Sequence, residues 1–280
     1  MPELPEVETV ARQLAPLLRG CVLRRIDVLD PLLSVVHRHL PCGRVVRNVT
    51  REGKQVAILL HAHGPRRVVH RLLCHLRMTG RLIWLPRGDA SRDTRHLRAR
   101  LVFDRGCLLF IDPRRFGTLR VQRGACAAGS GLDPTTRAFT PPALARLLAG
   151  SRQELKPWLL RQDRLAGLGN IYASEILFAA RLDPRRRAGT LGLPETRRLW
   201  RATRRVLARA IACRGTTFSD FGDAGGRPGG FQRRLAVYGR EHEACRRCGR
   251  PVRRIVQQGR STFCCTSCQH GTRPGTDVAP

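Results

Sequence analysis

Near its C-terminus the chain reads Cys245-x2-Cys248, then sixteen residues, then Cys265-x2-Cys268. Two thiolate pairs on short knuckles match the tetrahedral ligand set of zinc. Four protein ligands leave no position for water, so the ion is expected to be structural. Its binding free energy would fold a tail too short to bury a core of its own. Cys264 adjoins Cys265 and competes as a ligand, but only Cys265 keeps the two-residue spacing. Between the knuckles Arg253, Arg254 and Arg260 fall on an expected hairpin, as either a solvated charged turn or a phosphate clamp.

Eleven cysteines in a short secreted domain would suggest a disulfide framework. This chain has 280 residues, enough for about two domains. It opens Met-Pro-Glu-Leu-Pro-Glu, with no basic leader or apolar h-region, and no apolar run has the length of a membrane span. A cytoplasmic protein with reduced, buried or metal-bound thiols is expected. The formal charge of +31 and pI near 11.6 make nucleic acid the first candidate partner. Arginine bias accounts for a large share of that excess, since lysine occurs only at Lys54 and Lys156. Each arginine still offers a bidentate fork to phosphate.

Apolar residues Val7, Val10, Ala11, Leu14 and Leu18 recur at helical spacing behind Pro5, a good first-turn residue. Strand patterns follow at Val22 to Leu29, Val45 to Arg51, Val56 to Leu60, Val68 to Leu76, Leu97 to Phe103 and Leu108 to Asp112, with a hairpin turn at Asp104-Arg105-Gly106. This half reads as a helix followed by an antiparallel sandwich or barrel. After Gly131 the pattern becomes helical, over Pro141 to Leu148, Leu155 to Leu160, Ile171 to Arg181 and Glu195 to Cys213. Gly167-Leu168-Gly169-Asn170 forms a tight turn between two of these helices, suited to holding a phosphate. Five glycines between Phe221 and Gly230 mark a linker or a mobile loop. The expected division is 1–132, 133–222, a zinc module at 234–270 and a disordered tail at 271–280.

The chain offers three amines: its N-terminus, Lys54 and Lys156. Proline after methionine is the kind of small second residue from which the initiator is removed, leaving Pro2 as a free secondary amine. With reference pKa values of about 8 and 10.4, roughly a tenth of an α-amine but well under a thousandth of a lysine is deprotonated at pH 7. Attack by a secondary amine on a sugar C1′ gives a permanently cationic iminium, an electron sink for β-elimination. Pro2 and Glu3 also suit a plain helix start.

Pro2-Glu-Leu-Pro-Glu-Val-Glu8 resembles the N-terminal signature of the formamidopyrimidine-DNA glycosylase family. The similarity continues through His75-Leu-Arg-Met-Thr-Gly80, Asp112-Pro-Arg-Arg-Phe-Gly117, Lys156-Pro-Trp-Leu159, Gly167-Leu-Gly-Asn-Ile-Tyr-Ala-Ser-Glu175, Gly215-Thr-Thr217 and the zinc tail. It implies an α+β multidomain fold: an N-terminal helix plus antiparallel β-sandwich, then a helix-two-turns-helix region with a four-cysteine zinc finger. It further implies a bifunctional glycosylase/AP lyase of base excision repair that excises 8-oxoguanine and formamidopyrimidines and cuts the strand by β,δ-elimination. Pro2 would be the nucleophile, Glu3 the acid/base, and Lys54 a phosphate contact that helps at the lesion. Met78, Arg114 and Phe116 would fill the gap left by the extruded base, with Phe116 as wedge and Arg114 facing the orphaned cytosine. Asn170 and Arg260 would hold phosphates, with His96 and Arg115 as further DNA contacts and Glu6, His75 and Tyr238 in support. Arg260 is also carried over to the catalytic set.

The implied cofactor is one structural Zn2+ held by Cys245, Cys248, Cys265 and Cys268, with no small-molecule cofactor. The implied partner is damaged double-stranded DNA bound in a basic cleft between the domains by a monomer, with no membrane. Taken singly, Met78 and Phe116 also read as core residues, His75 as a strand histidine and Asn170 as a helix cap. Arg77 stands where the family usually has glycine, Cys264 where an aromatic precedes the third ligand, and Asp89 to His96 matches a familiar Lys-His segment weakly. The loop Ser219 to Gly230, which in the family closes over the flipped base, is unusually rich in glycine. The rivals are an endonuclease VIII-like enzyme for oxidised pyrimidines, a non-catalytic DNA-binding zinc protein and an RNA-associated basic protein. The intact Pro2 and Glu3, with the Arg114 and Phe116 wedge, argue against them.

Overall fold

The computed structural model describes residues 1–33, 35–36, 41–61, 69–87, 95–124, 131–217 and 221–269. The expected tail at 271–280, most of the weak match at 89–96 and the start of the 219–230 loop lie outside them. The chain divides into two compact units, Met1–Ala128 with Ala210–Arg233, and Gly129–Arg209 with Arg234–Pro280. Neither is one continuous stretch, so the expected span 133–222 is shared: its last residues, from Ala210 on, pack with the first unit.

In the first unit helix α1 (Leu4–Leu18) carries Pro5 in its first turn, as its sequence dictates, and buries Val7, Val10, Ala11, Leu14 and Leu18. It packs on strands β1 (Val22–Val28), β2 (Val35–Val36), β3 (Arg44–Glu52), β4 (Gln55–His61), β5 (Val69–His75), β6 (Arg81–Pro86), β7 (Leu97–Phe103), β8 (Gly106–Ile111) and β9 (Thr118–Arg123). Their order is β2-β9-β5-β4-β3-β1-β7-β8-β6. All pairings are antiparallel except the two-residue β2–β9 edge. The β1–β3 pairing covers only Val22↔Val45 and Leu23↔Arg44, and this short corner lets the two halves face each other. Leu72, Cys74, Leu119 and Val121 of one half share a core with Leu101, Phe103, Leu108 and Phe110 of the other and with α1. That arrangement is the expected sandwich.

Three strands lie outside the runs expected from the sequence: the two-residue β2, β6 and β9. In β6 the run Leu82-Ile83-Trp84-Leu85 does not alternate, because Leu82 faces the main core while Ile83 and Leu85 join Leu109 in a second cluster on the other face. In β9 only Leu119 and Val121 carry the period-two signal among arginines.

The glycine-rich stretch from Phe221 is not a linker. Asp223, fully buried, accepts hydrogen bonds from the backbone N–H groups of Gly225 (3.0 Å) and Arg227 (2.9 Å) and from Gln13 Nε2 (2.9 Å). The Ala224 N–H donates to Gln13 Oε1 at 2.9 Å, so α1 clasps the loop.

The second unit holds helices α2 (Pro141–Leu148), α3 (Leu155–Leu159), α4 (Asn170–Ala180) and α5 (Leu193–Ala212, to Arg209 in this unit), and the hairpin β10 (Arg253–Gln257) and β11 (Arg260–Cys264). Thr140 caps α2 ahead of two prolines. Helix α4 is buried on nearly every side, which makes it the centre of this unit. No helix among the described residues is long and apolar enough to cross a membrane.

Candidate functional site

The start of α1 is held by one carboxylate. Glu6, 1 % exposed, accepts from the Glu3 N–H through Oε2 at 2.8 Å and from the Thr216 N–H through Oε1 at 2.6 Å. It therefore fixes the backbone at Glu3 and ties the Gly215-Thr216-Thr217 segment to it. Gly215 has a φ of +79°, and a Cβ there would stand 2.6 Å from Glu6 Oε1, so glycine is needed for this approach. Glu3 and Pro2 are both buried, beneath an exposed Met1.

Lys54 sits in the two-residue turn between β3 and β4, where Glu52 pairs with Gln55. Arg51 links that turn to α1, through Nε to Glu8 Oε2 (2.9 Å) and through a guanidinium N–H to the Gly53 carbonyl (3.2 Å). His75 closes β5 opposite Gln55. Burial, with help from the positive charges of Arg77, Lys54 and Arg120, pulls its pKa down to about 4. The ring is neutral at pH 7, and its Nδ1 accepts the Arg77 N–H at 3.0 Å. Arg77 itself has a φ of +52°, the left-handed region that favours glycine.

This pKa shift has a sign that can be tested. Between pH 6.5 and 4 the unfolded chain protonates at this position while the folded chain does not, so the stability contribution is whole above pH 6.5 and is lost as pH falls towards 4. The loss is on the order of 3 kcal/mol at most, at about 1.4 kcal/mol per pH unit. Denaturant melts across this range should show the fall, and His75→Asn, whose amide oxygen keeps an acceptor near the Nδ1 position, should flatten it.

Asp112, 1 % exposed, organises the loops that carry Met78, Arg114 and Phe116. Its Oδ1 accepts the Thr79 hydroxyl and, at 3.3 Å, the Arg114 N–H; its Oδ2 accepts the Gly117 N–H at 2.7 Å. A Cβ at Gly117 would approach Phe110 to 2.4 Å, so the loop can lie this close only with glycine. Above this anchor Met78 is 40 % and Phe116 52 % exposed, with the Arg114 guanidinium 4.8 Å from the Phe116 ring centre. Apolar side chains held in water by a buried anchor are not core residues. Arg115, at a φ of +60°, reaches Asp30 (3.3 Å), which Arg98 also meets at 3.4 Å. Arg98 donates to the Asp112 carbonyl, and the His96 carbonyl accepts the Asp112 N–H. Asp112→Asn should therefore destabilise by about 1.5–3 kcal/mol, the range for hydrogen bonds to a charged group, as measured by denaturant melts.

In the second unit Lys156 is 1 % exposed, and its Nζ donates to Asn170 Oδ1 (2.6 Å), the Ser261 carbonyl (2.7 Å) and Thr262 Oγ1 (2.8 Å). With all three protons committed, Lys156 is a strut and not a free amine. Asn170 is the first residue of α4, with Gly169 as its cap, and its Nδ2 also donates to the Ser261 carbonyl at 2.9 Å. Asn170, Tyr238, Arg254, Arg260 and Ser261 line one open concavity. Glu175 of α4 accepts the N–H groups of Ala236, Val237 and Tyr238 at 2.8–2.9 Å and so anchors the chain entering the four-cysteine module. Asp112, Lys156 and Glu175 lie inside the family motifs, but the motifs do not mark their structural part. A buried charge between apolar neighbours is the signal that could have found them.

Cys245, Cys248, Cys265 and Cys268 bring their Sγ atoms within 4.8 Å of one another. The Cys245–Cys268 and Cys248–Cys265 pairs stand at 4.0 and 3.5 Å, bracketing the separation of about 3.8 Å that tetrahedral zinc–thiolate bonds of about 2.3 Å require. The donor set thus fits one metal ion. Cys264 is buried outside the quartet, and burial pushes its thiol up to about 11.

Known proteins share this arrangement over most of the chain. Residues 1–119 match the formamidopyrimidine-DNA glycosylase N-terminal domain, and residues 130–222 match the formamidopyrimidine-DNA glycosylase H2TH domain. The formamidopyrimidine-DNA glycosylase of Thermus thermophilus is 44% identical over 277 residues, covering 96% of this chain and 98% of its own. That of Xanthomonas axonopodis pv. citri is 42% identical over 278 residues, covering 96% and 100%. The crystal structure of the MutM (Fpg) protein from Thermus thermophilus superposes with a TM-score of 0.84 at 43% identity, over 96% of this chain and 98% of that one. A Lactococcus lactis Fpg variant in complex with Fapy-dG-containing DNA gives 0.82 at 30% identity, over 96% and 100%. With both domain types matched in order and relatives of this identity aligned end to end, the chain belongs to the formamidopyrimidine-DNA glycosylase family.

Proposed function

We propose that this protein is a DNA glycosylase/AP lyase of base excision repair that removes oxidised purines, 8-oxoguanine opposite cytosine and formamidopyrimidines among them, from duplex DNA. The observation that carries the reading is the α1 terminus, where a buried Glu6 holds the backbone of a buried Glu3 next to Pro2. With Met1 removed, the Pro2 nitrogen attacks C1′ of the damaged nucleotide and the base leaves on the glycosidic bond electrons. Glu3 supplies a proton to the opening sugar and serves in later proton transfers. The resulting iminium draws electrons from the C2′–H bond, expelling the 3′ phosphate, and a second elimination expels the 5′ phosphate.

Met78, Arg114 and Phe116 offset the few kcal/mol that extruding a nucleotide costs, by filling the vacated stack. Their exposure above the Asp112 anchor supports this role. Lys54, His96 and Arg115 meet phosphates from the first unit, supported by His75, and Asn170 and Arg260, with Tyr238, meet them from the second. Arg260 is assigned to the catalytic set as well. One zinc ion on the four cysteines stiffens the hairpin that presents Arg260; it takes no part in bond breaking. Residues 1–132 form the catalytic division, 133–222 the helix-two-turns-helix and 234–270 the zinc finger, in a monomer working in the cytoplasm.

The test is strand nicking of two duplexes, one with a single 8-oxoguanine opposite cytosine and one with an oxidised pyrimidine. Preferential cutting of the first is expected. Preference for the second would assign the endonuclease VIII-like activity, and cutting of neither would leave a DNA-binding zinc protein.

A further inference from the structure

Helix α5 carries a feature the lesion site does not use. Its buried face is Thr196, Leu199, Ala202, Thr203, Val206 and Leu207. The opposite face bears Arg197, Arg198, Arg201, Arg204, Arg205 and Arg209, all exposed. Arg197, Arg201, Arg205 and Arg209 follow one another at i, i+4, so they form a single ridge with a rise of about 6 Å per step and about 18 Å in all. Like charges at that spacing repel and weaken a helix. Among the described residues none of these four has a carboxylate within ion-pair distance, whereas the exposed Arg12 of α1 is matched by Glu8 four residues before it. An arginine-rich composition explains arginine in place of lysine. It does not explain why a 13-residue stretch has no acidic residue on its wet face when the chain has 21 of them.

The ridge is separate from the phosphate groups assigned above. Arg198 donates to the carbonyl of Ala180, at the C-terminal end of α4, and Asn170 lies at the other end of that helix, about 15 Å away along its axis. Trp200 Nε1 donates to the Phe139 carbonyl, so the packed side of α5 faces the body of its unit and the arginines face outward.

We propose that the α5 ridge binds the sugar-phosphate backbone of a second, undamaged segment of duplex DNA while the lesion site is occupied. Four guanidinium groups over about 18 Å run alongside roughly five nucleotides of one strand, at 3.4 Å of axial rise each. Guanidinium-to-phosphate pairing removes the mutual repulsion of the ridge and needs no base contact, so the surface is blind to sequence. Its use is to hand the protein from one segment to another during the search.

The test saturates the protein with a short duplex carrying a tetrahydrofuran abasic analogue, then adds a labelled undamaged duplex at several salt concentrations. One further duplex should bind, with a log–log salt slope of about −3.6, near −0.9 for each of four phosphates neutralised. The variant R197Q/R201Q/R205Q/R209Q should bind it at least tenfold more weakly with most of the slope gone, whereas the same four changes to lysine should keep the slope. Failure of the wild-type complex to take a second duplex would overturn the proposal, as would a glutamine variant of unchanged affinity and slope. DNA binding unchanged alongside lost binding of a glutamate-rich peptide would assign the ridge to an acidic protein instead. If the abasic duplex itself did not bind, the lesion-site reading would fall. The ridge would then be judged on the free protein and undamaged duplex, where the glutamine variant must still lose about 3.6 from its slope.

Discussion

Borohydride added to the mature protein and a duplex bearing one 8-oxoguanine opposite cytosine is expected to leave a covalent protein–DNA adduct on a denaturing gel. Lys156 is 1 % exposed with its three protons committed, and at reference pKa values an α-amine is deprotonated far more often at pH 7 than a lysine side chain, which favours the terminal amine. Pro2→Gly replaces a permanently cationic iminium by an imine that can lose its proton, so elimination should slow even where some adduct forms. Glu3→Gln keeps the size of the side chain and removes the acid/base. Nicking should fall by about 10²–10⁴, equivalent to about 3–5.5 kcal/mol of transition-state stabilisation, with lesion-duplex affinity largely kept. No adduct from the wild type, or full nicking by Glu3→Gln, would refute the assignment.

Removing the metal should have the second large effect. Structural zinc in small modules contributes about 10–16 kcal/mol, comparable to the whole stability of an ordinary domain. Cys248→Ser, or exhaustive chelation, is expected to unfold the stretch from Arg234 to Gln269 and expose its arginines to trypsin. The damage should spread inward: Ser261 and Thr262 would no longer accept from Lys156 Nζ, leaving a buried ammonium with one of its three partners. Each lost hydrogen bond to this charged group costs about 1.5–3 kcal/mol. Cys264 does not rescue the site, because its side chain is buried outside the quartet. Metal analysis should return one zinc per chain before treatment, and a folded, protease-resistant tail at zero zinc would sink the claim.

Some elements of the fold were readable in one dimension because their causes are local. Helix α1 follows from a 3.6-residue apolar period behind Pro5, the β7–β8 hairpin from Asp104-Arg105-Gly106, and the β10–β11 hairpin and metal quartet from cysteine spacing. Strand β6 was not legible, since a strand packed on both faces loses its alternation. The anchoring of the loop from Phe221 is not legible, because composition reports how freely glycine moves, not how Asp223 within the loop and the distant Gln13 hold it.

The same division holds for the site. Sequence alone determined the chemical types present: a proline behind the initiator, an acid beside it, four thiols at zinc spacing, and exposed-type arginines and aromatics in family motifs. Tertiary structure decided which of them are free to act. It buried Lys156 as a strut, set Glu6 between Glu3 and Thr216, and placed Asp112 beneath the Met78 and Phe116 loops. It also turned the four-arginine ridge of α5 out to water. The physical reason is that a charge is defined by its surroundings as much as by its type. Burial and hydrogen-bond partners come from residues distant in sequence, and no local pattern encodes them.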